Sequence, residues 1–326
     1  MLVSRRAFVA GAGALAATAA LRAQAVACGF RLAVITDEIS PDFEHACSVA
    51  SKDFGLHWVE VRNLWDASPG KFTEKHLADA KKVLAKYDLK VTDLGAPFFK
   101  SDFPGAPLSK ESPNKDASKI PADLSAQYDL LARLIDSAKS LGTDRIRGFD
   151  FWRLEDPKPF RKAINAELSK AADICKKSGI VLLLENEMAC NTGSGAEAAA
   201  LLAAVPNPNL MLNWDPGNSG SFAGDTPYPN DYDRLPKNRI GHVHVKSVTR
   251  TPGQQRGFEW QPVGKGDIDW VGQFKALHRD GYHYGVSLET HWHGGPGADK
   301  AAISESSSRI SMQGIKEALV KAGLSC

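Results

Sequence analysis

Ile180-Val181-Leu182-Leu183-Leu184-Glu185-Asn186-Glu187 is the stretch that decides the fold. Five consecutive apolar residues follow Gly179, and the run stops at a carboxylate. An apolar run without alternation marks a strand covered on both faces, as in the parallel sheets of α/β proteins. A charge at the carboxyl end of such a strand sits where α/β folds place their chemistry. Taken alone, Glu185 reads equally well as a solvated strand end.

Outward from this stretch, strand and helix alternate along the chain. A strand over Arg31–Thr36, ending in Asp37-Glu38, precedes a helix from about Pro41 to Phe54. A strand over His57–Arg62 precedes a helix over Thr73–Tyr87, with Thr73 as its N-cap. The third strand is Leu89–Gly95, followed by a long, Pro-rich connection over 96–122. A connection of that length reads as a lid or binding segment with Phe98, Phe99 and Phe103 on its underside, or, over Leu108–Lys119, as a surface insertion. Helix Ala122–Leu141, strand Arg145–Phe149 and helix Pro159–Ser178 lead to the opening stretch. Beyond it come helix Ala196–Val205, strand Leu210–Trp214 and strand Ile240–Lys246, whose alternation of His and Val suits a half-polar barrel interior. Helix Asp269–Asp280, strand His283–Glu289 and helix Asp299–Ala322 complete the series. The economical α/β architecture is a single (β/α)8 TIM barrel over residues 30–326. A doubly wound sheet would want a Gly-rich phosphate loop after the first strand, and Thr36-Asp37-Glu38-Ile39 supplies none.

The chain has 326 residues, 43% hydrophobic and 24% charged, with a formal net charge of +2, which gives ample core and no basic footprint for nucleic acid. Residues 1–29 read as an export signal rather than as fold. Ser4-Arg5-Arg6-Ala7-Phe8 before Val9–Leu21 resembles a twin-arginine signal, and Ala23-Gln24-Ala25 offers cleavage near Ala25. The apolar part is too short for a stable membrane span. The expected location is therefore the periplasm. A weaker reading takes Val26-Ala27-Cys28-Gly29 as a lipobox with a lipid anchor on Cys28, although Arg22 interrupts the approach to it. The five cysteines, Cys28, Cys47, Cys175, Cys190 and Cys326, show no metal-ribbon spacing. Cys28 and Cys326 bracket the mature chain, and barrel closure would bring them near enough to pair.

Strands five to eight end in Glu185, Asp215, His242 or His244, and Glu289, and a barrel turns all four ends to one rim. Three carboxylates gathered there could not all ionise without a cation. Mostly oxygen with one nitrogen favours Mn²⁺ or Mg²⁺ first, with Co²⁺ or Zn²⁺ next. Lys246 and Arg250 lie close by as positive charges. Glu60, Arg62 and Arg147 also end strands, as rim ion pairs or substrate contacts. Trp65, Trp152 and Trp292 stand in loops after strand ends, as packing residues of those loops or as flat faces on which a ring can stack. His291-Trp292-His293 is a further candidate tract, of which at most one imidazole faces the site.

The chain resembles the sugar phosphate isomerase/epimerase family, with its xylose isomerase-like TIM barrel. The residues carrying the resemblance are Thr36-Asp37-Glu38-Ile39-Ser40, Val59-Glu60-Val61-Arg62, Leu183-Leu184-Glu185, Asp215-Pro216-Gly217-Asn218, His242-Val243-His244-Val245-Lys246 and Ser287-Leu288-Glu289. It implies one divalent metal held by Glu185, Asp215, His244 and Glu289. His244 is preferred to His242 because epimerases of this type carry Arg six residues after the metal His, where Arg250 stands. It implies proton transfer alpha to a carbonyl, with Glu185 and Glu289 as the bases and Lys246 as a catalytic cation. The substrate would be a carbohydrate, and homo-oligomerisation is left open. Two positions depart from the ketose 3-epimerases this chain resembles: Asn218 replaces a His and Asn191 a Glu, both substrate contacts there. The alternatives are a carbon–oxygen lyase acting on keto-glycosides with the same site, a periplasmic sugar-binding protein without catalysis, and an abasic-site endonuclease.

Overall fold

The computed structural model describes residues 25–113, 123–222, 224–254 and 257–326. Expectations for residues 1–24, including the twin-arginine segment, and for 114–122 of the long connection lie outside those residues.

Eight strands form one parallel sheet: β1 Arg31–Val34, β2 Trp58–Val61, β3 Lys90–Phe98, β4 Arg145–Gly148, β5 Val181–Glu185, β6 Leu210–Trp214, β7 Ile240–Val245 and β8 Gly285–Leu288. Neighbours in the sheet are neighbours in sequence, and β8 pairs back onto β1, Val286 opposite Leu32. A bridge between Ile35 and Glu60 joins β1 to β2 and closes the ring. Right-handed crossovers through helices leave every carboxyl end on one rim.

The outer helices are α1 Phe43–Ser48, α2 Glu74–Lys86, α3 Leu124–Leu141, α4 Lys158–Lys177, α5 Gly195–Ala204, α6 Pro216–Gly220, α7 Trp270–Arg279 and α8 Lys300–Ala322. Their ends follow local chemistry. Thr73 caps α2 reciprocally with His76, and Ser194 caps α5 with Glu197. Gly142 and Gly323 end α3 and α8 at φ of 76° and 77°, a conformation that side chains with a Cβ disfavour. After β6 the crossover is irregular, with α6 a single turn. After β7 comes an antiparallel hairpin, Ser247–Arg250 with Phe258–Gln261.

The deciding stretch is buried on both faces. Leu182 and Leu184 join the main apolar cluster between sheet and helices, while Leu183 is buried inside the barrel against the Gly241 backbone. Full burial of each such Leu stabilises by ~1.5–3 kcal/mol. The third strand runs three residues past its expected end at Gly95. Phe98, Phe99 and Phe103 are buried; Phe98 stacks on Phe99, and Phe99 and Phe103 pack on Phe151.

The termini of the described chain meet beneath the barrel. Val26–Ala27 pairs in parallel with Leu324–Ser325, and Cys28 is disulfide-bonded to Cys326. Cys47, Cys175 and Cys190 are buried free thiols. Among the described residues no helix is long and apolar enough to cross a membrane.

Candidate metal centre

Four successive strand ends deliver four ligand-type side chains to one point. Glu185 is the last residue of β5, Asp215 follows β6, His244 lies one residue inside β7, and Glu289 follows β8. All four are buried, and one ligand atom from each lies within 4.8 Å of the others. His244 Nδ1 stands 3.4 Å from Glu185 Oε1, 3.3 Å from Glu289 Oε2 and 3.8 Å from Asp215 Oδ2. That nitrogen is buried with no hydrogen-bond partner. A buried ring nitrogen turned on three carboxylates is a donor set that a divalent cation fits.

The other side of the His244 ring explains its orientation. Nε2 lies 3.0 Å from Glu60 Oε2, in a carboxylate–imidazole pair that leaves Nδ1 facing the cluster. Glu60 also takes His242 Nε2 at 3.2 Å, and His242 Nδ1 lies 3.3 Å from Asp93 Oδ1. Glu60 is fully buried, so it forms a polar layer under the site rather than a substrate contact. Burial opposes its ionisation, but His244 and His242 overcome this and hold its carboxyl well below the usual range. At Asp93 burial and the neighbouring Glu60 charge outweigh His242 and His244 and lift the carboxyl to about 6.

Gly95 makes this layer possible. A Cβ there would lie 2.8 Å from Glu60 Oε1 and 2.9 Å from Arg147 Nη2. The Gly that reads as a strand end is therefore a gap in β3 for a buried ion pair.

The carboxylates are braced on their outer side as well. Asn218 Nδ2 donates to Glu185 Oε1 and Asp215 Oδ2, both at 3.2 Å, and its backbone N–H donates to Asp215 Oδ1 at 2.8 Å. Asn186 ties the end of β5 to β6, accepting from the Asp215 N–H at 2.7 Å and donating to its carbonyl at 2.9 Å. Lys246 Nζ bridges Asp215 Oδ2 at 2.7 Å and Glu289 Oε2 at 2.5 Å. Arg147 Nη1 is 3.2 Å from Glu185 Oε2.

These neighbours set the charges. Burial disfavours ionised Glu185, but Arg147 and His244 hold it down at about 2. Burial likewise opposes Glu289, and Lys246, His291 and His244 keep it well below the usual range. Desolvation would depress Lys246, yet Asp215 and Glu289 raise it well above an ordinary lysine. His244 is raised well above 6.5, because Glu60, Glu289 and Glu185 outweigh its burial.

A cleft of about 300 Å³ opens onto the cluster, with Glu185 and Glu289 at its floor and Arg62, Lys100, Arg147 and Phe149 among its walls. Arg62 is tied to Asp37 at 3.0 Å and to Glu38 at 3.0 Å. Lys100 pairs with Glu187 at 3.0 Å and lies over the Phe149 ring at 4.4 Å. Trp260, from the hairpin after β7, packs at a tilt against the His291 ring at 4.7 Å and lies 5.4 Å from Lys246 Nζ.

The expected substrate contacts divide accordingly. Arg62 and Arg147 reach the cleft. Arg250 does not line it; its Nη1 donates to the Asp225 carbonyl at 3.3 Å. Trp292 stays in the loop after β8, its ring packed over Gly294. Asn218 is turned inward onto the carboxylates, and Asn191 donates to the carbonyls of Asp150, Phe151 and Trp152, pinning the loop after β4. Lys100, Phe149, Trp260 and Asn186 are site residues that sequence reasoning passed over. Lys100 and Phe149 carried one signal, their place next to strand ends.

Residues 49–313 match the sequence family described as "Xylose isomerase-like TIM barrel". A protein of Escherichia coli (strain K12) named "Putative L-ribulose-5-phosphate 3-epimerase SgbU" is 25% identical over 164 residues, 49% of this chain and 56% of that protein. The chain thus matches little more than half of that relative's length. Among solved structures, the IolI protein with a bound zinc atom is similar at 15% identity and a TM-score of 0.67, covering 90% of this chain and 99% of that one. A D-allulose 3-epimerase from Methylomonas sp. is similar at 19% identity and a TM-score of 0.63, covering 92% and 100%. At these identities the likeness is one of fold.

Proposed function

The chain belongs to the xylose isomerase-like TIM barrel family, and we propose from that premise that it is a divalent-metal-dependent isomerase or epimerase acting on a sugar or keto-sugar. The observation that carries the reading is the buried, unpartnered Nδ1 of His244 facing Glu185, Asp215 and Glu289 at the floor of an open cleft. Those four residues would hold Mn²⁺ or Mg²⁺, with Co²⁺ or Zn²⁺ as the other fits. Such a cation makes the proton beside a carbonyl more acidic by drawing charge onto the oxygen.

The chain's own residues supply the rest. Glu185 and Glu289 are ionised, open on the cleft and come from strands three apart in the barrel, so one can take a proton from carbon and the other return it. Return to the other face of the same carbon is epimerisation; return to the neighbouring carbon is aldose–ketose isomerisation. Lys246, charged and 2.5 Å from Glu289, sits where it can stabilise the substrate's developing oxyanion. Arg62, Arg147 and Phe149 would orient the substrate. Metal analysis of the purified protein together with a keto-sugar panel followed by proton NMR in D₂O tests this. Solvent deuterium on carbon with a new stereoisomer or ketose supports it; a metal-bound protein that exchanges no carbon-bound proton in any sugar refutes it.

A second reading has its own support. Asn218 and Asn191 are spent on internal hydrogen bonds at the two positions that contact free ketoses in the epimerases this chain resembles. Removal of a proton beside a keto group can instead expel an oxygen substituent on the next carbon, which is carbon–oxygen lyase chemistry on a keto-glycoside. Release of an aglycone in the same NMR experiment would select it.

We also propose that the protein is exported. The disulfide between Cys28 and Cys326 suits an oxidising compartment, and its use of the Cys28 sulfur favours a soluble periplasmic form over a lipid anchor. Fractionation with thiol counting tests both: a cytoplasmic location with Cys28 reduced refutes export, and a thioether lipid on Cys28 refutes the soluble form.

A further inference from the structure

We propose that Glu38, Glu289 and His291 form a second divalent-cation site beside the first, with Glu289 shared between the two. One ligand atom from each of these three residues lies within 4.8 Å of the others. Glu38 is 8% exposed; its Oε1 is engaged by Arg62 Nη1 at 3.0 Å, while its Oε2 is buried without a hydrogen-bond partner. His291 Nδ1 is likewise buried and unpartnered, 3.9 Å from Glu289 Oε2. Buried polar atoms are nearly always satisfied, so two orphans beside one ionised carboxylate mark a missing partner.

The two arms of the site are fixed by the same helix. Ser308 of α8 donates to the Glu38 carbonyl at 3.1 Å and bonds Thr290 Oγ1 at 2.9 Å, locking the turn after β1 against the loop after β8. The His291 ring is braced by Trp260 at 4.7 Å. Two carboxylates and an imidazole, completed by water, suit Mn²⁺ or Zn²⁺. Carboxylate-bridged cations stand about 3.5–4 Å apart and can hold two oxygens of one substrate. The second cation would therefore take the hydroxyl, or the departing oxygen, next to the carbonyl. This rests on the first site holding a cation.

The experiment is equilibrium dialysis of the chelator-treated full chain against Mn²⁺, with bound manganese counted per protein and its EPR spectrum recorded. The expected result is two equivalents with an exchange-coupled spectrum for the unaltered chain. Glu38→Gln and His291→Asn should each bind one equivalent with an isolated-ion spectrum, at unchanged circular dichroism. One equivalent in the unaltered chain, lost on His244→Ala and untouched by both variants, overturns the second site and leaves the first standing. No manganese in any form overturns both.

Discussion

Replacing Glu60 by Gln separates the polar layer beneath the site from the site itself. Gln keeps the size of the side chain but removes the charge that sits 3.0 Å from His244 Nε2 and 3.2 Å from His242 Nε2. Glu60 touches no cleft surface, so a change in metal affinity has to travel through the imidazole. Loss of such an orienting partner typically weakens metal binding about 10–100-fold, or ~1.4–2.8 kcal/mol. The sign with pH is informative. Glu60 also favours the protonated His244 of the metal-free protein, so the raised pKa makes protons compete with the cation over a wider range. The loss on Glu60→Gln should therefore be largest at high pH, where no proton competes, and smaller at low pH, where the variant sheds its proton more easily. Mn²⁺ affinity by calorimetry between pH 6 and 9, with circular dichroism as the fold control, reads both effects. An affinity within twofold of the unaltered chain at every pH would refute the role assigned to Glu60.

Gly95→Ala should mimic that substitution without touching a charge, because its Cβ displaces Glu60 and Arg147 from contacts of 2.8 and 2.9 Å; unaltered Mn²⁺ affinity in a folded variant would contradict it. His244→Ala should abolish binding at the four-ligand site while the barrel keeps its far-UV spectrum, since a structural rather than ligating histidine would leave metal content intact. Cys326→Ser should cost ~2–5 kcal/mol by urea denaturation, because the bond closes a loop with a sequence separation of 298; equal stability with and without reductant would show that the bond does not form in solution.

The cluster was legible in part because a closed parallel barrel gathers its carboxyl ends. Strand order brings Glu185, Asp215 and Glu289 together with His242 or His244, and the choice of His244 rested on the resemblance, not on strand order. The layer below was not legible in the same way. Glu60 lies one residue short of the end of β2, as near the rim in sequence as His244 in β7, and only the fold reveals that two imidazoles close over it. Gly95-Ala96-Pro97 reads as a strand terminus from local propensity, yet β3 continues because the missing Cβ relieves a clash from across the barrel interior. Positions carried over by resemblance fared unevenly for a related reason. Asn218 has the right place in the chain, but a short amide reaches back to the carboxylates where a longer ring would project outward. Arg250 sits on a hairpin strand whose partner, with Trp260, takes the place beside the site.

The same contacts decide how many protons a cation displaces. Glu185 is held at about 2 by Arg147, and Glu289 is held low by Lys246, so neither has a proton to lose at neutral pH. Lys246, 2.7 Å from Asp215, offsets only part of the burial that raises that carboxyl above its ordinary value. His244 is the exception, since its pKa is raised well above 6.5 and its Nδ1 must be free to bind metal. Metal affinity should therefore climb with pH up to the pKa of His244 in the folded, metal-free protein and level off above it. At neutral pH, filling the four-ligand site should release about one proton per cation, read by pH-stat titration in weak buffer. Release of three would mean that the carboxylates wait protonated for the cation. In that case Arg147 and Lys246 do not hold the site ionised in advance, and the barrel gathers its acids only when the metal is there to receive them.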